Sequence, residues 1–229
     1  EDCLKAKDLG IPSGYQTTQL FIVNSTCQAE EAQFIVKGLR KKTSEPANLE
    51  KVSNYPGLKE LILPNQLPDY PSLALPTAYF EYPYKNTFYY ISELPVAKGL
   101  PIARFMLDYK NNPSNENKEK MKNAFSVLGK KVANFHKKFM EKERNKIIGK
   151  TIIHGDFHVH NIFYDQYTRH VTYIDNESMA RSLYNKKNPN IDYMQLFYMP
   201  FSWDDQGQFS GLVRGVNKKE WHQIALKPF

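Results

Sequence analysis

One long amphipathic helix constrains this chain most. Between about Asn117 and Glu143, apolar side chains recur at spacings of three and four residues, and lysines fill many positions between them. This period is that of an α-helix with one face in a core. The apolar stripe consists of Met121, Phe125, Leu128, Val132, Phe135 and Phe139. We therefore expect the second half of the chain to pack around this helix.

The first half has the pattern of short strands instead. Gln19–Val23 and Gln33–Leu39 are rich in β-prone residues and predict a hairpin, and Thr77–Tyr82 with Thr87–Ser92 predicts a second strand pair. Between the two pairs, Thr43–Val52 has the start signals of a helix. The first half is therefore expected to be strand-rich, with one helix.

The remaining patterns complete a mixed layout. Thr151–His154 and Val171–Asp175 predict two short buried strands, and a helix is expected to begin at Asn190. Glu93–Pro101 has the composition of a linker. We therefore predict an α+β fold with two lobes, a strand-rich N-terminal one (residues 1–94) and a mainly helical C-terminal one (residues 95–229).

Charge and hydropathy exclude some functions. The chain has 229 residues and a net charge of +7, and residues 116–150 hold eleven Lys or Arg against four Glu. Such a stretch is most often the solvated face of a helix, so a nucleic-acid partner is not expected. No apolar run approaches the roughly 18 residues that a membrane helix needs, so no membrane span is expected. We predict a monomer.

The cysteines leave the compartment open. Cys3 and Cys27 are the only two, and they form no C-x-x-C motif. Asn24-Ser25-Thr26 is a glycosylation sequon. A cytoplasmic location is favoured, and an exported protein with bridged cysteines is the alternative, because the sequence starts with Glu1 instead of Met.

The densest chemical signal is the segment from Thr151 to Glu177. It contains His154, Asp156 and Asn161 in the order H-x-D-x-x-x-x-N, and Asp175 follows 19 residues after Asp156 at the end of an apolar strand. This spacing is typical of phosphoryl-transfer loops. Such a reaction needs a carboxylate that orients and deprotonates the attacking hydroxyl, and oxygen ligands that hold Mg²⁺.

Two motifs in this segment carry a family resemblance. His154–Asn161, which reads H-G-D-F-H-V-H-N, and Ile174–Glu177, which reads I-D-N-E, resemble the signature motifs of aminoglycoside phosphotransferases and choline kinases. The resemblance implies a protein-kinase-like fold that binds ATP and Mg²⁺ between its lobes and phosphorylates a small-molecule hydroxyl. It makes Asp156 the catalytic base, and Asn161 and Asp175 the metal ligands.

The same resemblance extends to the first half of the chain. Phe34-Ile35-Val36-Lys37 resembles the family's lysine-bearing strand, so Lys37 would contact the nucleotide phosphates. Its ion-pair partner would be Glu50 on the following helix, with Glu45 as the alternative.

Three further positions follow from the resemblance. Gly14 lies between two strands, where the nucleotide-covering loop belongs, although no G-x-G-x-x-G is present. The backbone near Glu93 and Leu94 would hold adenine. Asp192 resembles the later aspartate that supports the catalytic loop. Only 54 residues follow Asp175, fewer than such small-molecule kinases usually carry there.

Other functions remain possible at this stage. A protein hydroxyl could be the acceptor, as in an atypical protein kinase, or the fold could bind nucleotide without turnover. His154, Asp156, His158 and His160 alternate along the chain, so on one strand face they could bind zinc in a metallohydrolase. Gly155 favours a loop there, so the kinase interpretation is preferred.

Overall fold

The chain has a mixed α+β fold with several sheets. The structure is a computed structural model that describes residues 3–9, 17–26, 32–39, 43–84, 87–143, 146–147 and 149–202. Within them, the strands are β1 (Leu4–Asp8), β2 (Thr17–Ser25), β3 (Ala32–Leu39), β4 (Ser72–Leu73), β5 (Ala78–Tyr84), β6 (Thr87–Pro95), β7 (Leu100–Pro101), β8 (Lys142–Glu143), β9 (Lys146–Ile147), β10 (Ile162–Asp165) and β11 (His170–Tyr173). The α-helices are α1 (Glu45–Asn54), α2 (Ile102–Asn111), α3 (Asn115–Lys138) and α4 (Asn190–Ser202), and two 3₁₀-helices span Lys59–Leu61 and Asn176–Ser182.

Both predicted strand pairs of the first half are confirmed. They belong to one antiparallel five-stranded sheet with the order β1-β2-β3-β6-β5. Strand β6 crosses over to lie between β3 and β5, which sets Lys37 opposite Ser92 and Val36 opposite Glu93. Helix α1 follows β3 and packs against the 3₁₀-helix Asn176–Ser182. This contact joins the first half of the chain to the segment that carries the second motif.

The second sheet has four short strands in the order β4-β11-β10-β7. Its centre is the antiparallel pair β10 and β11, with Ile162 opposite Tyr173. Asn161 comes directly before β10, and the Ile174 amide after β11 donates to the Asn161 carbonyl over 3.0 Å. The start of β10 and the end of β11 therefore meet at one edge of the sheet.

The long helix α3 is confirmed and supplies much of the core, but it ends at Lys138 and not at about Glu143, so Phe139 is its C-cap. Its N-cap is Ser114, whose Oγ accepts the Asn117 amide over 3.2 Å. Five of its six predicted core residues, Met121, Phe125, Leu128, Val132 and Phe135, are at most 1% exposed. Lys131 departs from the pattern of solvated lysines, because it is buried and its Nζ donates to the Pro68 and Tyr70 carbonyls.

Two sequence predictions about the second half are wrong. Thr151–His154 is buried but is not a strand, and only Thr151 forms a bridge, to Lys187. The amides that would form a ladder bind side chains instead, Ile153 to Ser182 Oγ and His154 to Asp192.

The predicted linker Glu93–Pro101 is also partly strand. Strand β6 continues to Pro95, and the last two residues of the predicted linker form β7. Helix α2, which follows at once, was not predicted.

No helix in the described part of the chain combines the length and apolar character needed to cross a membrane. Cys3 is disulfide-bonded, and Cys27 lies outside the described residues.

Candidate functional site

A buried lysine connects the two sheets. Lys37 Nζ lies 2.8 Å from Glu45 Oε1 and 2.7 Å from Asp175 Oδ1. Lys37 and Glu45 are almost fully buried, whereas 43% of the Asp175 side chain is exposed. The lysine comes from β3, the glutamate begins α1, and the aspartate follows β11. Together with Glu177, these residues form what we call the ion-pair cluster.

The ion-pair cluster carries more negative than positive charge. Burial lowers the pKa of Lys37, but Asp175 and Glu45 outweigh this and hold it above its ordinary value, so the lysine stays charged. Burial, with the nearby Glu45 carboxylate, raises the pKa of Glu177. Glu45 and Asp175 contact the ammonium group, and Glu177 interacts with it electrostatically, so a further cation would balance the charge of the cluster.

Glu45, and not Glu50, is the partner of Lys37. Glu50 was the preferred prediction, but its side chain is exposed. Helix α1 begins at Glu45, close after the end of β3, and Pro46 fits its first turn. Glu50 follows Glu45 by five residues, which rotates its side chain about the helix axis by about 140° relative to Glu45. Glu50 therefore faces away from the lysine.

The motif around Asp156 forms a loop that helix α4 holds by its backbone. Asp192 accepts the His154 amide on Oδ2 and the Gly155 amide on Oδ1, each over 3.0 Å. Gln195 accepts the Phe157 amide over 2.8 Å and donates to the Gly155 carbonyl over 3.0 Å. Side chains three residues apart on one helix face therefore fix the backbone on both sides of Asp156.

Gly155 is required by this geometry. Its φ is +80°, and a Cβ there would lie 3.2 Å from Ser178. Residues with a side chain rarely adopt such a backbone conformation, so the glycine permits the sharp turn before Asp156. This turn, together with the side-chain bonds of the preceding amides, explains why no strand leads into the motif.

A second layer of buried polar groups supports Asp192. His136 of α3 donates from Nε2 to Asp192 Oδ2 over 3.0 Å, and its Nδ1 lies 3.3 Å from the Tyr193 hydroxyl. The His154 ring donates from Nε2 to the Ile174 carbonyl over 2.9 Å. Burial lowers the pKa of His154, so its ring is neutral. Asp192, Gln195 and His136 form what we call the loop anchor.

Asp156 stands at the surface end of this loop. Its Oδ2 accepts the Asn161 Nδ2 over 3.2 Å, and the same Nδ2 also donates to the Asp156 carbonyl over 3.1 Å. The pKa of Asp156 is lowered, chiefly through its interaction with the His158 side chain, while partial burial opposes the change. Asp156 is thus ionised and oriented at neutral pH, as a proton acceptor needs to be.

Asn161 and Asp175 have oxygens suited to a hard divalent cation. The hydrogen bonds found among the described residues use only the amide nitrogen of the Asn161 side chain, which leaves Oδ1 with its lone pairs. Asp175 binds Lys37 through Oδ1 alone. Asp175 also has φ of 56°, a strained conformation for a residue with a side chain and one found often at functional sites. The oxygens of Asn161 and Asp175 are therefore of the kind that Mg²⁺ prefers as ligands.

The other predicted positions are less informative. Glu93 and Leu94 lie on β6 opposite Val36 and Ile35, half-buried on the strand next to Lys37. Gly14 lies outside the described residues. Asp192 is buried beneath the loop, where the sequence predicted a supporting aspartate.

The histidine-rich loop lacks the geometry of a metal centre. His154 Nε2 binds a backbone carbonyl, and the rings of His158 and His160 are 6.0 Å apart. Among the described residues, no group of three or more His, Cys, Asp or Glu side chains is arranged to hold a metal ion. The metallohydrolase alternative therefore has no ligand set in this part of the chain.

Sequence reasoning did not find Gln195 or His136. Gln195 could have been noticed because it follows Asp192 by three residues, which places both on one helix face. His136 gave no such signal, because it sits in a run of lysines at the end of α3. In comparisons with models of known protein families and with curated protein sequences, nothing matches this chain.

Proposed function

We propose that this protein is an ATP-dependent phosphotransferase with a bilobal, protein-kinase-like fold that transfers the γ-phosphoryl group to a small-molecule hydroxyl. The observation that carries the proposal is the position of Lys37 between Glu45 and Asp175. The set consists of one lysine, one helix glutamate and one aspartate that follows a strand pair. These are the residue types that bind phosphate and Mg²⁺ in phosphoryl transfer.

Each group has a role that its chemistry supports. Asp156 accepts the proton of the acceptor hydroxyl, whose oxygen bonds to the γ-phosphorus while the bond from that phosphorus to the β–γ bridging oxygen breaks and ADP leaves. Lys37 binds the nucleotide phosphates, and Glu45 orients it. Asn161 and Asp175 would hold Mg²⁺, which neutralises phosphate charge when bound. The backbone near Glu93 and Leu94 would hold the adenine of the nucleotide.

Two alternatives give different results in the same assay. A protein hydroxyl as acceptor would place this chain among atypical protein kinases, and a nucleotide-binding module would bind without turnover.

The disulfide at Cys3 supports the exported alternative for the location of the protein, because disulfides persist mainly in oxidising compartments.

The deciding experiment incubates the full chain with labelled ATP and Mg²⁺, alone, with proteins, and with a panel of amino-alcohols and sugars. We expect transfer to a small molecule, and Asp156→Asn should lower kcat by about 10²–10⁴-fold while ATP affinity stays within a few-fold. Asp69→Asn, at an exposed carboxylate, is the matched control and should behave like the wild type. Unchanged turnover in Asp156→Asn would refute the assignment.

A further inference from the structure

The His158 side chain lies beside the carboxylate of Asp156, in the same loop. Its amide donates to the Asp156 carbonyl over 3.1 Å, and its own carbonyl accepts the Asn161 amide over 2.9 Å. This tight turn folds the imidazole back beside the aspartate. His158 Nε2 lies 3.7 Å from Asp156 Oδ2, and 14% of the His158 side chain is exposed. The function proposed above leaves this residue without a role.

The backbone around His158 selects the tautomer of its ring. The His160 amide donates to His158 Nδ1 over 3.3 Å. A ring nitrogen that accepts a hydrogen bond carries no proton, so a neutral ring has its proton on Nε2. His154 is held in the same way, because its Nδ1 accepts the Asp156 amide over 3.3 Å and its Nε2 donates to a carbonyl. His158 therefore directs an N–H group toward Asp156.

This arrangement differentiates the two oxygens of Asp156. Oδ2 receives Asn161 Nδ2 over 3.2 Å and faces the Nε2–H of His158. At 3.7 Å the second contact is longer than a hydrogen bond, but such contacts in a ligand-free site often shorten when substrate binds. Asn161 donates to Oδ2 and His158 Nε2 lies beside the same oxygen, so Oδ1 is left to meet an acceptor hydroxyl.

We propose that His158 is a positioning residue, whose Nε2–H clamps Oδ2 of Asp156 so that Oδ1 points at the acceptor. The inference rests on the proposed function, because it assigns His158 a part in the same reaction. The imidazole acts through a fixed N–H group and does not need to gain or lose a proton. Glutamine should therefore replace it in part, since its amide nitrogen reaches about as far as Nε2.

The kinetic test compares three variants of the full chain. His158→Leu should lower kcat by about 10–100-fold with the KM for ATP within about twofold, because misplacing a reacting group costs rates of this order. His158→Gln should recover most of that loss, and His160→Leu, the matched control, should stay within about threefold of the wild type. A His158→Leu enzyme with wild-type kcat, or equal losses in the Leu and Gln variants, would overturn the proposal.

A second measurement does not depend on turnover. Long-range ¹H–¹⁵N spectra of the wild-type chain should show His158 as the Nε2–H tautomer, and a ring protonated on Nδ1 alone would overturn the proposal even if His158→Leu failed to fold. Wild-type protein that transfers no phosphoryl group would instead refute the proposed function. The two failures are therefore distinguishable.

Discussion

The ion-pair cluster and the loop anchor hold the two halves of the candidate site by different forces. The ion-pair cluster joins charged groups from three elements through side chains alone, and Asp175 at its outer end is nearly half exposed. In the loop anchor, His136 and Asp192 are almost fully buried and Gln195 is half-buried, and Asp192 and Gln195 bind backbone amides. Charged side chains can exchange partners when a ligand arrives, whereas a hydrogen-bonded backbone is already in place before binding.

The difference suggests a division of labour between the two regions. In the proposed reaction, Lys37 would exchange its contact with Asp175 for one with a phosphate. Asp156 would instead need a fixed position, because the rate of proton transfer would depend on its alignment. Changes in the loop anchor should therefore affect stability and kcat together, and changes in the ion-pair cluster should mainly affect the binding of nucleotide with Mg²⁺.

The largest effect is expected from Asp192→Ala. The substitution leaves the His154 and Gly155 amides and the His136 ring without their acceptor. Removing a buried charged partner of this kind costs about 3–5 kcal/mol in the free energy of unfolding. Urea unfolding measures the loss, and Asp69→Ala, at an exposed site, should change stability by less than about 0.5 kcal/mol. If both variants unfold at the same urea concentration, the loop anchor has no structural role.

The free energy of unfolding should fall in acid, because the neutral imidazole of His154 lies next to the loop anchor. Burial lowers the pKa of His154, so below pH 6.5 the unfolded chain binds a proton that the folded chain does not, and stability falls as pH falls. His170 acts in the same direction, because burial lowers its pKa from 6.5 to about 4. Between about pH 7 and about pH 5, His170 alone should account for a loss of about 2 kcal/mol.

The contribution of His170 can be separated by substitution. Unfolding of His170→Gln, followed over the same pH range, should show a smaller decrease in stability than the wild type, and the decrease that remains belongs to His154 and the rest of the chain. The ion-pair cluster contains no histidine. A decrease in His170→Gln as large as that in the wild type would show that burial does not lower the pKa of His170.

The sequence predicted some parts of this arrangement well and others not at all. Runs of β-prone residues identified the β2–β3 and β5–β6 pairs, and the stripe from Met121 to Phe135 identified α3, because these patterns are local. The choice between Glu45 and Glu50 depended on where α1 begins and how it is rotated about its axis, which no local pattern fixes. His136 and Gln195 act on partners far along the chain, so only the folded structure brings them together.

The ion-pair cluster should respond to Asp175→Asn by losing metal-dependent binding. Asparagine keeps the shape of the side chain but removes the charge that pairs with Lys37 and would attract Mg²⁺. We expect ATP affinity in the presence of Mg²⁺ to fall about tenfold or more, which isothermal titration calorimetry can measure, with little change in urea stability. An ATP affinity that is independent of both Mg²⁺ and Asp175 would contradict the metal assignment.

The smallest and most discriminating effect separates the two glutamates of α1. Glu45→Gln keeps a polar group of the same length but removes the charge that holds Lys37 with Asp175, so kcat/KM for ATP should fall about 3–10-fold, equivalent to about 0.6–1.4 kcal/mol. Glu50→Gln changes the same residue type on the exposed face of the same helix and should leave kcat/KM unchanged. Both variants remove one negative charge from α1, but Glu45 is buried in the first turn and contacts Lys37, whereas Glu50 is exposed. Equal losses would mean that the orientation of the lysine does not limit the reaction, and that the ion-pair cluster acts only through Asp175.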